Sequence, residues 1–87
     1  MNQEGIIMLQ NEITDYGRIE MRIDALLAER GISKNRICKD LDIPRPNFNR
    51  YCRNDFQRID TGLLCKLCAY LNVTVGELIV YKKAGED

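Results

Sequence analysis

Arg45, Asn47, Asn49 and Arg50 fall within six consecutive positions of this chain, Arg45 between Pro44 and Pro46 and the other three just after them. Guanidinium forks and side-chain amides are the groups that hydrogen-bond to planar acceptors: the edges of nucleic-acid bases and the oxygens of phosphates. Their spacing around the apolar Phe48 and Tyr51 puts them on the outward face of one short helix over 45–52. A helix of that size fits the major groove of duplex DNA. Arg45 lies at the helix start, where its fork is suited to guanine O6 and N7. Asn47 is suited to adenine or to capping the helix. Asn49 and Arg50 sit one turn on, in reach of a base or of the backbone. These four are the base-reading candidates.

A second set of residues suits phosphate. Lys34, Asn35 and Arg36 surround the start of a preceding helix, where unbonded amides and the helix dipole favour an anion. Lys34 and Asn35 are the stronger candidates if Ile37 and Cys38 point inward. Arg53, Asn54 and Arg58 follow the 45–52 helix and are placed to grip the backbone beyond it, or to form an ordinary polar loop. Tyr51 is spaced from Phe48 for core packing rather than for stacking on a base.

Other chemistry is thinly provided for. The chain has four cysteines and no histidine. Cys65 and Cys68 form a C-x2-C of the kind that holds zinc, but it falls mid-helix on an apolar stripe, and Cys38 and Cys52 lack a matching short spacing. Buried thiols acting as small apolar groups are the expectation, with no metal and no cofactor. Acids such as Asp15, Glu20, Asp24 and Glu29 are scattered, with no nucleophile beside a base, so no enzyme is expected.

Net charge is zero over the 87 residues, which by itself argues against nucleic acid. The distribution reverses that argument. Residues 1–29 hold two basic and six acidic side chains, whereas residues 30–58 hold eight basic and three acidic. Phosphate responds to the local field, so a basic middle third on a neutral domain suffices. No apolar run approaches the ~18 residues of a membrane span. The opening MNQEGIIMLQNE has no basic region before its apolar patch and makes a poor signal peptide, so the cytoplasm is the expected compartment.

The elements that must position these residues are legible from caps and periodicity. Ile19 and Met21 alternate with charged residues in a brief extended segment. Helix 1 follows with Ile23, Leu26, Leu27 and Arg30 on successive turns, and Gly31 is its C-cap. Ser33 caps helix 2, whose buried stripe is Ile37, Cys38 and Leu41. Ile43 packs in the turn, and Pro44 and Pro46 fit only the opening of helix 3, where an amide proton is dispensable. Asn54 suits a left-handed or turn position. Helix 4 covers about 61–71, capped by Asp60 or Thr61, with Leu64, Cys65, Leu67, Cys68 and Leu71 as its stripe and Asn72 as its stop. Thr74 and Glu77 make a capping box for helix 5. Leu78 and Ile79 close the core, and Val80 and Tyr81 can run back along the 19–21 segment as a two-strand patch. The chain divides into an extension over 1–17, whose apolar Ile6, Ile7, Met8 and Leu9 suit a dimer contact, a domain over 18–81, and a flexible tail over 82–87.

The segments LLAERGISKNRICKDLDIP and RIDTGLLCKLCAYLNVTVGELIVY resemble the Cro/C1-type helix-turn-helix domain of the XRE family, in particular its small stand-alone bacterial members. The resemblance spans residues 22–81. It implies an all-α, five-helix, lambda-repressor-like DNA-binding domain, with 34–41 as positioning helix and 45–52 as recognition helix. Two departures stand out. Family members often have Gly where this chain has Asp42, so Asp42 must accept a left-handed turn. They often have small hydroxyl residues where it has Pro44 and Pro46, which removes phosphate contacts. The reading is of a homodimeric regulator of transcription binding double-stranded DNA. The alternative is a protein-interaction module on the same scaffold, such as a toxin–antitoxin or phage regulatory partner.

Overall fold

The computed structural model describes residues 15–85. Strand β1 (Arg18–Met21) leads into five helices, α1 (Ile23–Arg30), α2 (Lys34–Leu41), α3 (Arg45–Cys52), α4 (Thr61–Leu71) and α5 (Val75–Leu78), and the chain returns as strand β2 (Ile79–Lys82). The architecture is the lambda-repressor-like arrangement of five helices with a two-stranded patch. The 6–9 run considered above as a dimer contact lies outside the described residues.

Local chemistry sets most of the boundaries. Ser33 Oγ accepts the Arg36 amide at 3.0 Å and opens α2. Asp60 opens α4 by accepting from the Gly62 amide. Thr74 and Glu77 exchange side-chain bonds with each other's amides, a complete capping box on the single turn of α5. The Thr74 amide first, and the Thr74 hydroxyl after it, both donating to the Glu77 carboxylate, hold that carboxyl below the usual carboxylate range. Helices α1, α2 and α4 each end on a left-handed residue: Gly31, Asp42 and Asn72. Among the described residues, the non-glycine ones with positive φ are Asp42, Asn54 and Asn72, all of the two types whose short polar side chains tolerate it best.

The core is assembled one stripe per helix. Ile23, Leu26 and Leu27 come from α1, Ile37 and Cys38 from α2, Phe48 from α3 and Leu78 from α5, with Ile43 filling the turn and Met21 arriving from β1. The stripe of α4 differs from expectation. Leu63, Leu67 and Leu71 are buried, one every fourth residue, whereas Leu64 and Cys68 are half-buried and Cys65 is exposed. The helix is apolar on most sides, so its phase is chosen by its neighbours rather than by its own pattern. Arg30, expected on the inner face of α1, is exposed.

The strands pair antiparallel, with Ile19 opposite Tyr81 and Met21 opposite Ile79, and the ladder runs to Lys82 opposite Arg18. That is one residue further than the alternation of Val80 and Tyr81 indicated. Two bonds from Arg22 latch the ribbon to the helices: its amide donates to the Leu78 carbonyl at 2.7 Å, and its guanidinium to the Glu77 carbonyl. Among the described residues no helix is long and apolar enough to cross a membrane.

Candidate nucleic-acid interface

Phe48 is the anchor of α3. It is 1% exposed, and burying it fixes the rotation of the helix. The Tyr51 ring packs half-buried against Phe56 in the following loop, with centroids 5.2 Å apart. The opposite face then presents Arg45, Asn47 and Arg50 to solvent, with Asn49 half-covered between them. The turn before α3 is tight because Asp42 adopts φ 55° and ψ 51°, which lets the Ile43 amide reach back to the Cys38 carbonyl at 2.9 Å. Pro44 then stands at the N-cap and Pro46 inside the first turn, where neither removes a helical bond.

Arg45 is held from both helices. Its Nε donates to Asn49 Oδ1 at 3.1 Å, one turn along α3, and its Nη1 donates to Asn35 Oδ1 at the start of α2. A guanidinium has five N–H donors, so three remain for an outside acceptor. Asn35 and Asn49, read from sequence as a phosphate candidate and a base candidate, are brought together here as the two ends of this clamp.

The basic side chains divide into paired and unpaired sets. Lys34 lies 3.3 Å from Asp24 of α1, Arg53 lies 3.9 Å from Asp55, and Arg36 donates through Nε to Asp40 at 2.9 Å. The side chains of Arg50 and Arg58 have no ion pair or hydrogen bond among the described residues. Asn54 is a structural residue: with φ 61° it turns the chain out of α3, and its Oδ1 accepts the Met21 amide at 2.7 Å.

Three features absent from the sequence-based candidates shape this face. The Tyr70 hydroxyl of α4 donates to Asp40, tying α2 to α4. That bond first, and the Arg36 guanidinium after it, hold the Asp40 carboxyl below its ordinary range despite the opposing effect of desolvation. Lys66 donates to the Leu41 carbonyl at 3.0 Å, closing the end of α2. An open groove of about 370 Å³ runs between α3 and the start of α4, with Asn47, Arg50, Asp60, Gly62 and Lys66 among its walls. The only sequence signal for Lys66 and Tyr70 was their four-residue spacing on one side of a helix with an uncertain phase.

The cysteines take different environments. Cys38 is buried and its thiol is pushed up by that burial. Cys52 is half-buried, and burial, with the neighbouring Asp24, pushes its thiol up to about 11. Cys65, expected inside, is exposed on α4, because Leu63 and Leu67 take the inward positions. Among the described residues no three metal-ligating side chains cluster.

The Cro/C1-type HTH DNA-binding domain family matches residues 22–84. Two solved structures are similar. The transcriptional regulator VanUg is 20% identical, with 86% of this chain and 99% of that one covered at a TM-score of 0.67. A candidate DNA-binding protein from Bacteroides fragilis is 26% identical, with 71% of this chain and 98% of that one covered at a TM-score of 0.62. No curated protein matches.

Proposed function

The chain belongs to the Cro/C1-type helix-turn-helix DNA-binding domain family, a non-catalytic type, and from that premise we propose that it is a sequence-specific, homodimeric regulator of transcription working in the cytoplasm with α3 in the major groove. The observation that carries this reading is the Arg45 clamp. A guanidinium at the first residue of the recognition helix, fixed by amides from both helices of the motif, is pre-organised for a guanine edge. Asn47 and Arg50 read beside it, and Asn49 contributes to reading by orienting Arg45. Arg58, Arg53, Lys34, Arg36 and the α2 N-terminus meet phosphates on either side, Asn35 and Asn54 lying within the same two backbone-contacting segments.

Two copies are needed because one short helix spans few base pairs. Half-sites ~34 Å apart, one turn of the duplex, would let a two-fold dimer read a palindrome.

One observation favours a protein-interaction module instead: Lys34, Arg36 and Arg53 are already paired with acids of the same chain, which weakens the field offered to phosphate. Selection of binding sites from a randomised double-stranded DNA pool across a salt series separates the two. Enriched palindromic sites, bound more weakly as salt rises, are expected. No enrichment and no binding at low salt would overturn the DNA reading in favour of the protein one.

A further inference from the structure

The apolar face of the ribbon runs past the core. Ile19 and Met21 share one face of β1, and their partners Tyr81 and Ile79 share the same face of β2. At the inner end Met21 is buried and Ile79 half-buried. At the outer end Ile19 is 45% and Tyr81 61% exposed. Tyr16, also exposed, is held beside them, because its carbonyl accepts the Tyr81 hydroxyl. Three of the four large hydrophobic residues exposed among the described residues therefore gather at this end of the ribbon.

The outer edge of β2 borders that patch. Residues of an antiparallel ladder alternate between turning their amide and carbonyl toward the partner strand and turning them away. The Met21 amide turns away from β2, to Asn54 Oδ1, and the Ile79 amide turns away from β1, to the Val75 carbonyl. Two residues along, Ile19 and Tyr81 repeat that outward pairing. Tyr81 thus presents its amide and carbonyl together on the outer edge of β2, and neither has a partner among the described residues. Open strand edges of this kind are normally covered.

We infer that this edge is the two-fold interface of the homodimer proposed above, the reading on which it rests: β2 of one copy pairs antiparallel with β2 of a second, centred on Tyr81. A two-fold contact must be self-complementary. An outward-facing strand residue meets that condition by itself, since its amide and carbonyl bond to the carbonyl and amide of the same residue in the second copy. The side chains agree. Ile19, Tyr81, Tyr81 of the second copy and Ile19 of the second copy then form one apolar row across four strands. Lys82 stands opposite Val80 of the second copy, so no like charges are opposed. Bonding across the edge is short, because the Ile79 amide is already taken and the chain turns at Gly85 with φ 83°. The contact is therefore modest, of the kind completed when two half-sites raise the local concentration of the copies.

The test is disulfide cross-linking of the full chain carrying Cys65→Ser, to remove the exposed thiol, with Tyr81→Cys or, as control, Val75→Cys on α5. The bonded pair of an antiparallel ladder has its Cα atoms ~5.5 Å apart, within the reach of a disulfide. Mild oxidation, with and without a DNA site from the randomised pool, is expected to link the position-81 variant into dimers and leave the position-75 variant unlinked. Equal linking of the two would mean random collision and overturn the inference. Sedimentation of the unaltered chain separates the remaining failures. A dimer with no link at position 81 overturns the inference and leaves the homodimer reading standing, whereas a monomer both free and on DNA overturns both. Should the variant not fold, the unaltered chain still decides. Its Tyr81 amide is expected to exchange at least ~10-fold more slowly as concentration rises through dimerisation. An exchange rate that ignores concentration overturns the inference, and slow exchange at every dilution would mean that the edge is covered within one chain.

Discussion

Replacing Arg45 with lysine separates base reading from simple charge. The substitution keeps one positive charge at the start of α3 and removes the fork. In the structure the fork is fixed through Nε and Nη1 to Asn49 and Asn35, which leaves three donors for an outside acceptor. A bidentate contact to guanine is worth ~1–3 kcal/mol of discrimination, or ~5–150-fold between the right base pair and a wrong one. Arg45→Lys should lose that discrimination at one base pair of each half-site and leave the other positions as they were. The dependence of affinity on salt should not change, because the number of phosphate charges neutralised is the same. The assay is fluorescence anisotropy with the selected site and its single-base variants over a salt series. Asn49→Ala should relax the same position in part, since it frees one end of the clamp. The reasoning fails if Arg45→Lys and Arg45→Ala weaken every sequence equally and the alanine variant lowers the salt slope by about one; Arg45 would then be a phosphate contact.

Three further outcomes follow from the geometry. Asp42→Gly should stabilise the fold by ~0.5 kcal/mol, since the left-handed cost of a non-glycine residue, ~1–2 kcal/mol, exceeds the extra entropy of glycine in the unfolded chain, ~0.5–1 kcal/mol. Scanning calorimetry should show a melting temperature higher by ~2–4 °C, and a lower one would mean the Asp42 carboxylate has a favourable contact of its own. Asp40 has a depressed folded pKa, so its contribution is present above the unfolded value, about 3.9, and is lost as pH falls through the folded value. Tyr70→Phe removes the largest cause of that depression, so it should lower stability at neutral pH and converge with the parent in acid; urea titrations from acid to neutral pH that run parallel for the two proteins would refute the link. Near neutral pH a thiol reagent should modify Cys65 first and reach Cys38 and Cys52 only on unfolding, because one is buried and the other half-buried with its thiol pushed up to about 11; prompt labelling of Cys52 in the folded protein would contradict this.

The elements of this fold were legible where their causes are local. Ser33, Asp60 and the Thr74–Glu77 pair cap helices through atoms two or three residues away, and Asp42, Asn54 and Asn72 are left-handed for reasons contained in their own side chains. The phase of α4 was not legible, because Leu63, Leu64, Cys65, Leu67, Cys68, Tyr70 and Leu71 leave Lys66 as its one charged residue, too little to mark the outside. The same boundary divides the candidate site. The outward positions of Arg45, Asn47 and Arg50 follow from burying Phe48, a matter of helical period. The clamp on Arg45 joins residues ten apart across a turn, the Asn54 bond to Met21 joins residues 33 apart, and the Tyr70 bond to Asp40 joins residues 30 apart. No periodic pattern encodes those separations.

The two prolines and the ion pairs together locate the burden of recognition. Pro44 and Pro46 offer no hydroxyl at the start of α3, so on the proposed reading the near phosphates are met from α2 and from the loop after α3. There, Lys34, Arg36 and Arg53 are paired with Asp24, Asp40 and Asp55. Exposed pairs of that kind are worth ~0–1 kcal/mol, so a phosphate can exchange for the carboxylate at small cost, but each exchange returns less than an unpaired cation would. Arg36 is the poorest donor of the three, since Tyr70 fixes Asp40 from the other side. On the proposed reading Arg58, lacking such a pair among the described residues, is a phosphate contact available at full strength, Arg50, equally unpaired, is left to read a base, and Arg45 is the residue whose orientation is already set. On that reading a neutral chain binds DNA with modest non-specific affinity and takes its best-oriented base contact from one guanidinium, with Asn47 and Arg50 reading beside it.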